Sequence, residues 1–182
     1  MMNRRVAIKQ VALLAGGMAF LPSCGVDPER ASIALKKLQL NIDHERLLEK
    51  LTVAIIPDTL TPGAAKLNLQ HFVMVMADDC LSPEDQAIFV EGLQKLNSFT
   101  KKHFGKAFSK GSRDEQKNML TEIQNNKELP TKNSIDPERM RKFVSISKQF
   151  TLQGYLNSEY YLTEVLPYQL VPGSFTGCAK VV

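Results

Sequence analysis

Four carboxylates stand within eight residues, as Asp78-Asp79 and Glu84-Asp85. Such a cluster can hold a hard cation through oxygen ligands or act as a general acid–base pair. It can equally cap helix ends and line a solvated turn. Neighbouring side chains diverge on a helix, so Asp78 and Asp79 reach one substrate atom only from a loop. His44, His71 and His103 are far apart, and none has a second His at i+3 or i+4, so no helix offers a zinc ligand pair. His71 stands two turns ahead of Asp78 and Asp79, a spacing that makes no site by itself. The G-x-S-x-G, G-x-G-x-x-G, P-loop and H-E-x-x-H patterns are absent, and Cys24, Cys80 and Cys178 are not at iron–sulfur spacing. The residues alone yield no catalytic set, no cofactor site and no metal site.

Lys101, Lys102, Lys106 and Lys110 alternate with Phe104 and Phe108, a mixture that could stack on nucleic acid. The charge balance argues against it. Of 23 Lys and Arg, three (Arg4, Arg5 and Lys9) precede an uncharged run, and the other 20 face 19 Asp and Glu. A nearly neutral body has no footprint for a polyanion. The Lys-rich stretch reads instead as a solvated helix edge over a Phe-lined core.

The uncharged run, Gln10 to Val26, completes a basic, apolar, small-residue order that marks an export signal. At 17 residues, with Gly16, Gly17 and Pro22 inside it, it is short for a membrane-spanning helix, which needs about 20 apolar residues. Asn3-Arg4-Arg5-Val6-Ala7-Ile8-Lys9 resembles a twin-arginine motif, with Ala7 where Phe is common. Leu21-Pro22-Ser23-Cys24 resembles a lipobox, with Pro22 as an uncommon occupant. The expectation is a signal peptide over 1–23, a tether over 24–42 and a helical domain over 43–182. The mature chain would be periplasmic, held to the membrane by a lipid on Cys24. That leaves Cys80 and Cys178, which in an oxidising compartment either pair, tying the tail to the body, or stay as two thiols.

The elements that position these residues read as helices. Asp43 could cap the first, whose face carries Leu47, Leu48, Leu51, Ala54 and Ile55 until Pro57. Pro57 to Gly63 is a loop. A helix resumes near Ala64, and the apolar run Phe72–Ala77 fits a buried helix or a strand. Ser82-Pro83-Glu84-Asp85 starts the next helix, with Phe89, Leu93, Leu96 and Phe99 on one stripe. Ser112 to Glu115 is a capping box for a helix to about Gln124. A surface loop follows over 125–134. Asp136-Pro137-Glu138 starts another helix, lined by Phe143, Ile146 and Phe150, and a further one covers Leu152 to Leu166. The tail after Pro167 is irregular. The fold class is all-α, one bundle of about six helices.

Three segments then stand out together. Ile56 to Ala65, with Pro57, Thr59, Thr61, Pro62 and Gly63, resembles the "IP-x-T-x-TPGA" opening of the gluconate 2-dehydrogenase subunit 3 family. Asp79-Cys80-Leu81-Ser82-Pro83-Glu84-Asp85-Gln86 resembles its turn before a long helix. Gly154-Tyr155-Leu156-Asn157-Ser158-Glu159, followed by Pro172-Gly173-Ser174-Phe175-Thr176-Gly177-Cys178, resembles its C-terminal pattern. The resemblance implies the small, non-catalytic subunit of a periplasmic sugar or polyol dehydrogenase, such as gluconate 2-dehydrogenase or glucoside 3-dehydrogenase. In such complexes FAD and the catalytic residues belong to a large subunit of the GMC type. The small subunit escorts it through the twin-arginine translocase and stays bound, and a cytochrome c or other acceptor takes the electrons. For the partner interface the chosen residues are Pro57, Thr59, Thr61, Pro62, Gly63, Asp79, Glu84, Asp85, Tyr155, Ser158, Glu159, Pro172, Gly173 and Phe175. Two other readings fit the same residues: a free-standing lipoprotein that binds a ligand or surface partner, and an autonomous enzyme using the Asp78–Asp85 carboxylates.

Overall fold

Asn41 opens the first helix. Its side-chain oxygen accepts the His44 N–H at 2.9 Å, and His44 Nδ1 accepts the Asn41 N–H at 3.3 Å. This reciprocal capping starts α1 (Ile42–Ile55) two residues before the expected cap at Asp43, which sits instead in the first turn against the positive helix end. Burial lowers the His44 pKa against the pull of Asp43, which keeps the accepting ring nitrogen unprotonated. The computed structural model describes residues 30–125 and 136–166. The loop expected over 125–134 (beyond Asn125 itself) and the tail after Pro167 lie outside the described residues.

After the Pro57–Gly63 loop the chain turns through residues 64–68, and α2 (Leu69–Cys80) begins five residues later than Ala64. Asn68 is the reason. It takes a left-handed backbone (φ 50°), which breaks a continuous helix and which Asn tolerates better than most residues. The apolar run Phe72–Ala77 is helical, not a strand. Ser82 Oγ accepts the Asp85 N–H at 3.2 Å and Pro83 occupies the first turn of α3 (Pro83–Phe104). Gly105 ends α3 at φ 76°, a conformation that suits glycine. Phe108 then tucks under in a 3₁₀ turn (Phe108–Lys110), its N–H donated to the buried Thr100 Oγ1 at 2.7 Å. The Ser112–Glu115 capping box is present at 2.6 and 3.3 Å and starts α4 (Arg113–Asn125). Asp136 Oδ1 accepts the Glu138 N–H at 3.0 Å to start α5 (Pro137–Leu156).

The expected boundary near Leu152 moves. α5 continues to Leu156, and the break falls where Asn157 and Ser158 satisfy the loose backbone groups. A sixth helical segment, π-type, covers Tyr161–Val165.

α5 packs against all four other α-helices and forms the centre of the bundle. The stripe Phe89, Leu93, Leu96 and Phe99 is buried, as are Leu48, Leu51, Phe143 and Ile123. Each such side chain contributes about 1.5–3 kcal/mol on leaving water. Two glycines set how closely helices approach. A Cβ on Gly92 would fall 2.1 Å from Phe143 Cγ, and one on Gly154 would fall 2.7 Å from Phe72 Cδ1. Arg139 of α5 grips Glu91 of α3 through Nε and Nη2, at 2.9 and 2.7 Å. The described residues contain no β-sheet, and none of their helices is long and apolar enough to cross a membrane.

Candidate docking surface

The Pro57–Gly63 loop closes on itself. Asp58 Oδ1 accepts the Gly63 N–H at 2.5 Å, and Ile56 O accepts the Ala64 N–H at 2.9 Å. Thr59 Oγ1 lies 3.3 Å from Thr61 Oγ1, and the Thr59 N–H donates to Thr61 O at 3.1 Å. Gly63 is obligatory here: a Cβ would lie 2.5 Å from Asp58 N and 2.7 Å from Ile56 O, both backbone atoms. Pro57, Thr59 and Thr61 are exposed, Pro62 is half-buried and Gly63 is buried. At the tip Leu60 is fully exposed, at 105% of its reference area. A large apolar side chain held out on a rigid loop loses little entropy on docking.

The carboxylates do not converge. Asp78 is buried (3% exposed) and accepts the backbone N–H groups of Lys36, Lys37 and Leu38 at 2.7, 2.8 and 2.6 Å. Burial pushes its pKa up, but these three amides outweigh that and leave it below the usual value. Asp79 is exposed and meets Lys36 Nζ at 3.2 Å. Glu84 is exposed, and Asp85 Oδ1 lies 2.5 Å from Lys142 Nζ, which raises the lysine's pKa. Asp78, Asp79 and Asp85 each meet a different partner and Glu84 faces solvent, so the cluster makes neither a cation cage nor an acid–base pair. Among the described residues no three His, Cys, Asp or Glu gather as a metal site.

A second constellation was not legible from spacing. Ser32, Glu45 and His71 meet, with Ser32 Oγ donating to Glu45 Oε1 at 2.6 Å and His71 Nε2 lying 2.9 Å from the same oxygen and 3.0 Å from Ser32 Oγ. The residue types suggest a nucleophilic triad, but the geometry opposes it. A triad needs one ring nitrogen on the hydroxyl and the other on the carboxylate. Here Nε2 faces both, and the serine proton is already directed to Glu45. Burial raises the Glu45 pKa, but the hydrogen bonds from Ser32 and His71 prevail and hold it below the usual range. The arrangement fastens chain segments together.

The Gly154–Glu159 motif has a local explanation. Ser158 Oγ donates to Tyr155 O at 2.7 Å and accepts the Tyr161 N–H at 3.2 Å, while Asn157 Nδ2 donates to Gln153 O at 2.8 Å. Asn and Ser therefore end one helix and start the next. Tyr155 stacks obliquely on Tyr161, with centroids 5.6 Å apart, and Glu159 is exposed. Between this corner and the start of α2 lies an open crevice of about 580 Å³, lined by Leu67, Phe72, Gly154, Ser158, Glu159 and Tyr160 among others. Of the residues chosen from sequence it brings Ser158 and Glu159 together, and it adds Phe72 and Tyr160, which sequence reading missed. Leu152 and Leu156 are exposed on the same face of α5, with Val165 and Leu166 exposed beyond it.

Cys80 is exposed on the last turn of α2. Arg4, Arg5, Lys9, Cys24, Pro172, Gly173, Phe175 and Cys178 lie outside the described residues, and so does any Cys80–Cys178 pairing.

The fold and these surfaces define an all-helical chain whose described polar clusters are engaged in holding its own segments together. The chain belongs to the gluconate 2-dehydrogenase subunit 3 family, whose model matches residues 42–173. That family is a subunit of a dehydrogenase complex, which gives this chain an accessory role within a larger assembly. No curated protein and no solved structure matches it.

Proposed function

We propose that this chain is a non-catalytic small subunit that binds and stabilises a large FAD-dependent sugar or polyol dehydrogenase of the GMC type and escorts it through the twin-arginine route. The observation that carries the reading is the family match over residues 42–173, joined to a leader in which Arg4, Arg5 and Lys9 precede an apolar run. The dispersal of the Asp78–Asp85 carboxylates counts against the alternative of an enzyme built on that cluster. FAD sits in the partner, a cytochrome c or other acceptor takes its electrons, and the complex is periplasmic, anchored by a lipid on Cys24. The Pro57–Gly63 loop with Leu60 at its tip, and the corner of Tyr155, Ser158 and Glu159, face the large subunit. Co-expression tests this: replacing Arg4 and Arg5 by Lys should leave both chains in the cytoplasm. Normal export of the large subunit with that variant, or without this chain, would refute the escort role.

A further inference from the structure

Residues 31–40 lie on the bundle without forming a helix, and two buried carboxylates from different helices hold them. Glu45 of α1 accepts the Ser32 N–H at 2.7 Å and the Ser32 hydroxyl at 2.6 Å. Asp78 of α2 accepts three successive backbone N–H groups, from Lys36, Lys37 and Leu38. Leu38 and Leu40 insert into the core. We propose that residues 31–40 are a latch, which docks when α1 and α2 are assembled and can lift while the rest of the bundle stays folded.

The acceptors explain why docking and lifting are both accessible. Neither carboxylate is supplied by the latch, and the two belong to different helices, so the full set of acceptors exists only once α1 and α2 pack. The latch lies directly on both groups, so its lifting would open them to water rather than strand a buried charge. The end of α2 stays fixed without it, because Gln86 Nε2 of α3 donates to Asp78 O at 2.8 Å and to Ala77 O at 3.3 Å.

The charged and titratable groups that meet the two carboxylates are few. Lys37 acts on Asp78, Lys36 reaches the neighbouring Asp79, and His71 of α2 lies on Glu45. Protonating either carboxyl removes an acceptor and opens the latch. The latch leads directly back in sequence to the leader. On the export reading, it would tie the leader-proximal chain to the body only in molecules whose α1 and α2 have assembled. That consequence rests on the proposed function; the latch does not.

Hydrogen exchange on the full chain at neutral pH tests it. In Asp78→Asn the amides of residues 36–38 should lose about tenfold more protection than those of α3 and α5. Ser32→Ala, a milder change, should loosen residues 31–33 in the same selective way. Wild-type protection of residues 31–38 in both variants would overturn the proposal, as would loss of it only together with α3 and α5. If the Arg4 and Arg5 replacements leave export unchanged, the consequence for export fails and the latch stands.

Discussion

The Asp58 carboxylate accepts the Gly63 amide at 2.5 Å across the Pro57–Gly63 loop, and the backbone of Ile56 to Asp58 passes so close to Gly63 that no side chain fits there. This one relationship explains the shape of a Pro- and Thr-rich stretch that sequence alone marks only as a loop. The loop is a preformed projection, and its apolar tip is Leu60.

Leu60 separates binding from stability. Leu60→Asp should leave the melting temperature within the range of an ordinary surface change, about ±0.5 kcal/mol. It should weaken retention of the large subunit, because the side chain forfeits up to about 1.5–3 kcal/mol of apolar burial at an interface. Gly63→Ala should instead lower the melting temperature by an amount equivalent to about 1–3 kcal/mol of overpacking. Thermal melts run beside pull-downs check both.

Gly92 and Phe143 should behave as a coupled pair. Gly92→Ala forces a methyl into the Phe143 ring and should cost about 1–3 kcal/mol. Phe143→Ala empties that volume and should cost about 3–5 kcal/mol. The double variant should be less destabilised than the sum of the two, since the added methyl then occupies vacated space. Urea unfolding of the four proteins measures the coupling.

Acid should weaken the fold through Asp78 and Glu45. Both folded-state pKa values lie below the ordinary values of 3.8 and 4.5. Their stabilisation is therefore complete above those ordinary values and is lost as pH falls through the lowered ones. Asp78→Asn should flatten the decline below pH 3.8 and cost about 1.5–3 kcal/mol at neutral pH, the scale of hydrogen bonds to a charged group. Denaturant titrations across pH 2–7 supply the test.

Periodicity and capping chemistry made most of the helices readable beforehand. The Phe89, Leu93, Leu96 and Phe99 stripe is buried, and Ser82, Ser112 and Asp136 each cap where their neighbours suggest. The failures have physical causes. Asn41 displaced Asp43 as a cap because His44 could return its hydrogen bond. Residues 31–40 read as a polar tether because their anchors lie thirteen positions away, at Glu45, and about forty away, at Asp78, and local pattern carries no record of such contacts. The spacing of His71 to Asp78 and Asp79 makes no site, and its partner is Glu45 on another helix, a pairing that spacing does not reveal. Of the candidate surface, the loop was visible as turn residues, whereas the Asn157-Ser158 corner falls inside the helix expected over Leu152 to Leu166 and stands out only through the family resemblance. The crevice was not visible, since it depends on how Phe72 meets Gly154.

Ser158 tests whether the corner is structural. Ser158→Ala removes the hydroxyl that accepts the Tyr161 N–H and should cost about 0.5–2 kcal/mol. The loss should appear first as faster hydrogen exchange over residues 159–163, and Ser158→Asn should restore part of it.

Purification of the tagged full chain from cells that also express a large GMC-type dehydrogenase is the most direct measurement of the accessory role. Co-elution of a FAD-containing chain with dye-linked sugar or polyol dehydrogenase activity, and no activity in this chain by itself, is the expected result. A chain that elutes alone while the flavoprotein remains exported, stable and active without it would contradict that role.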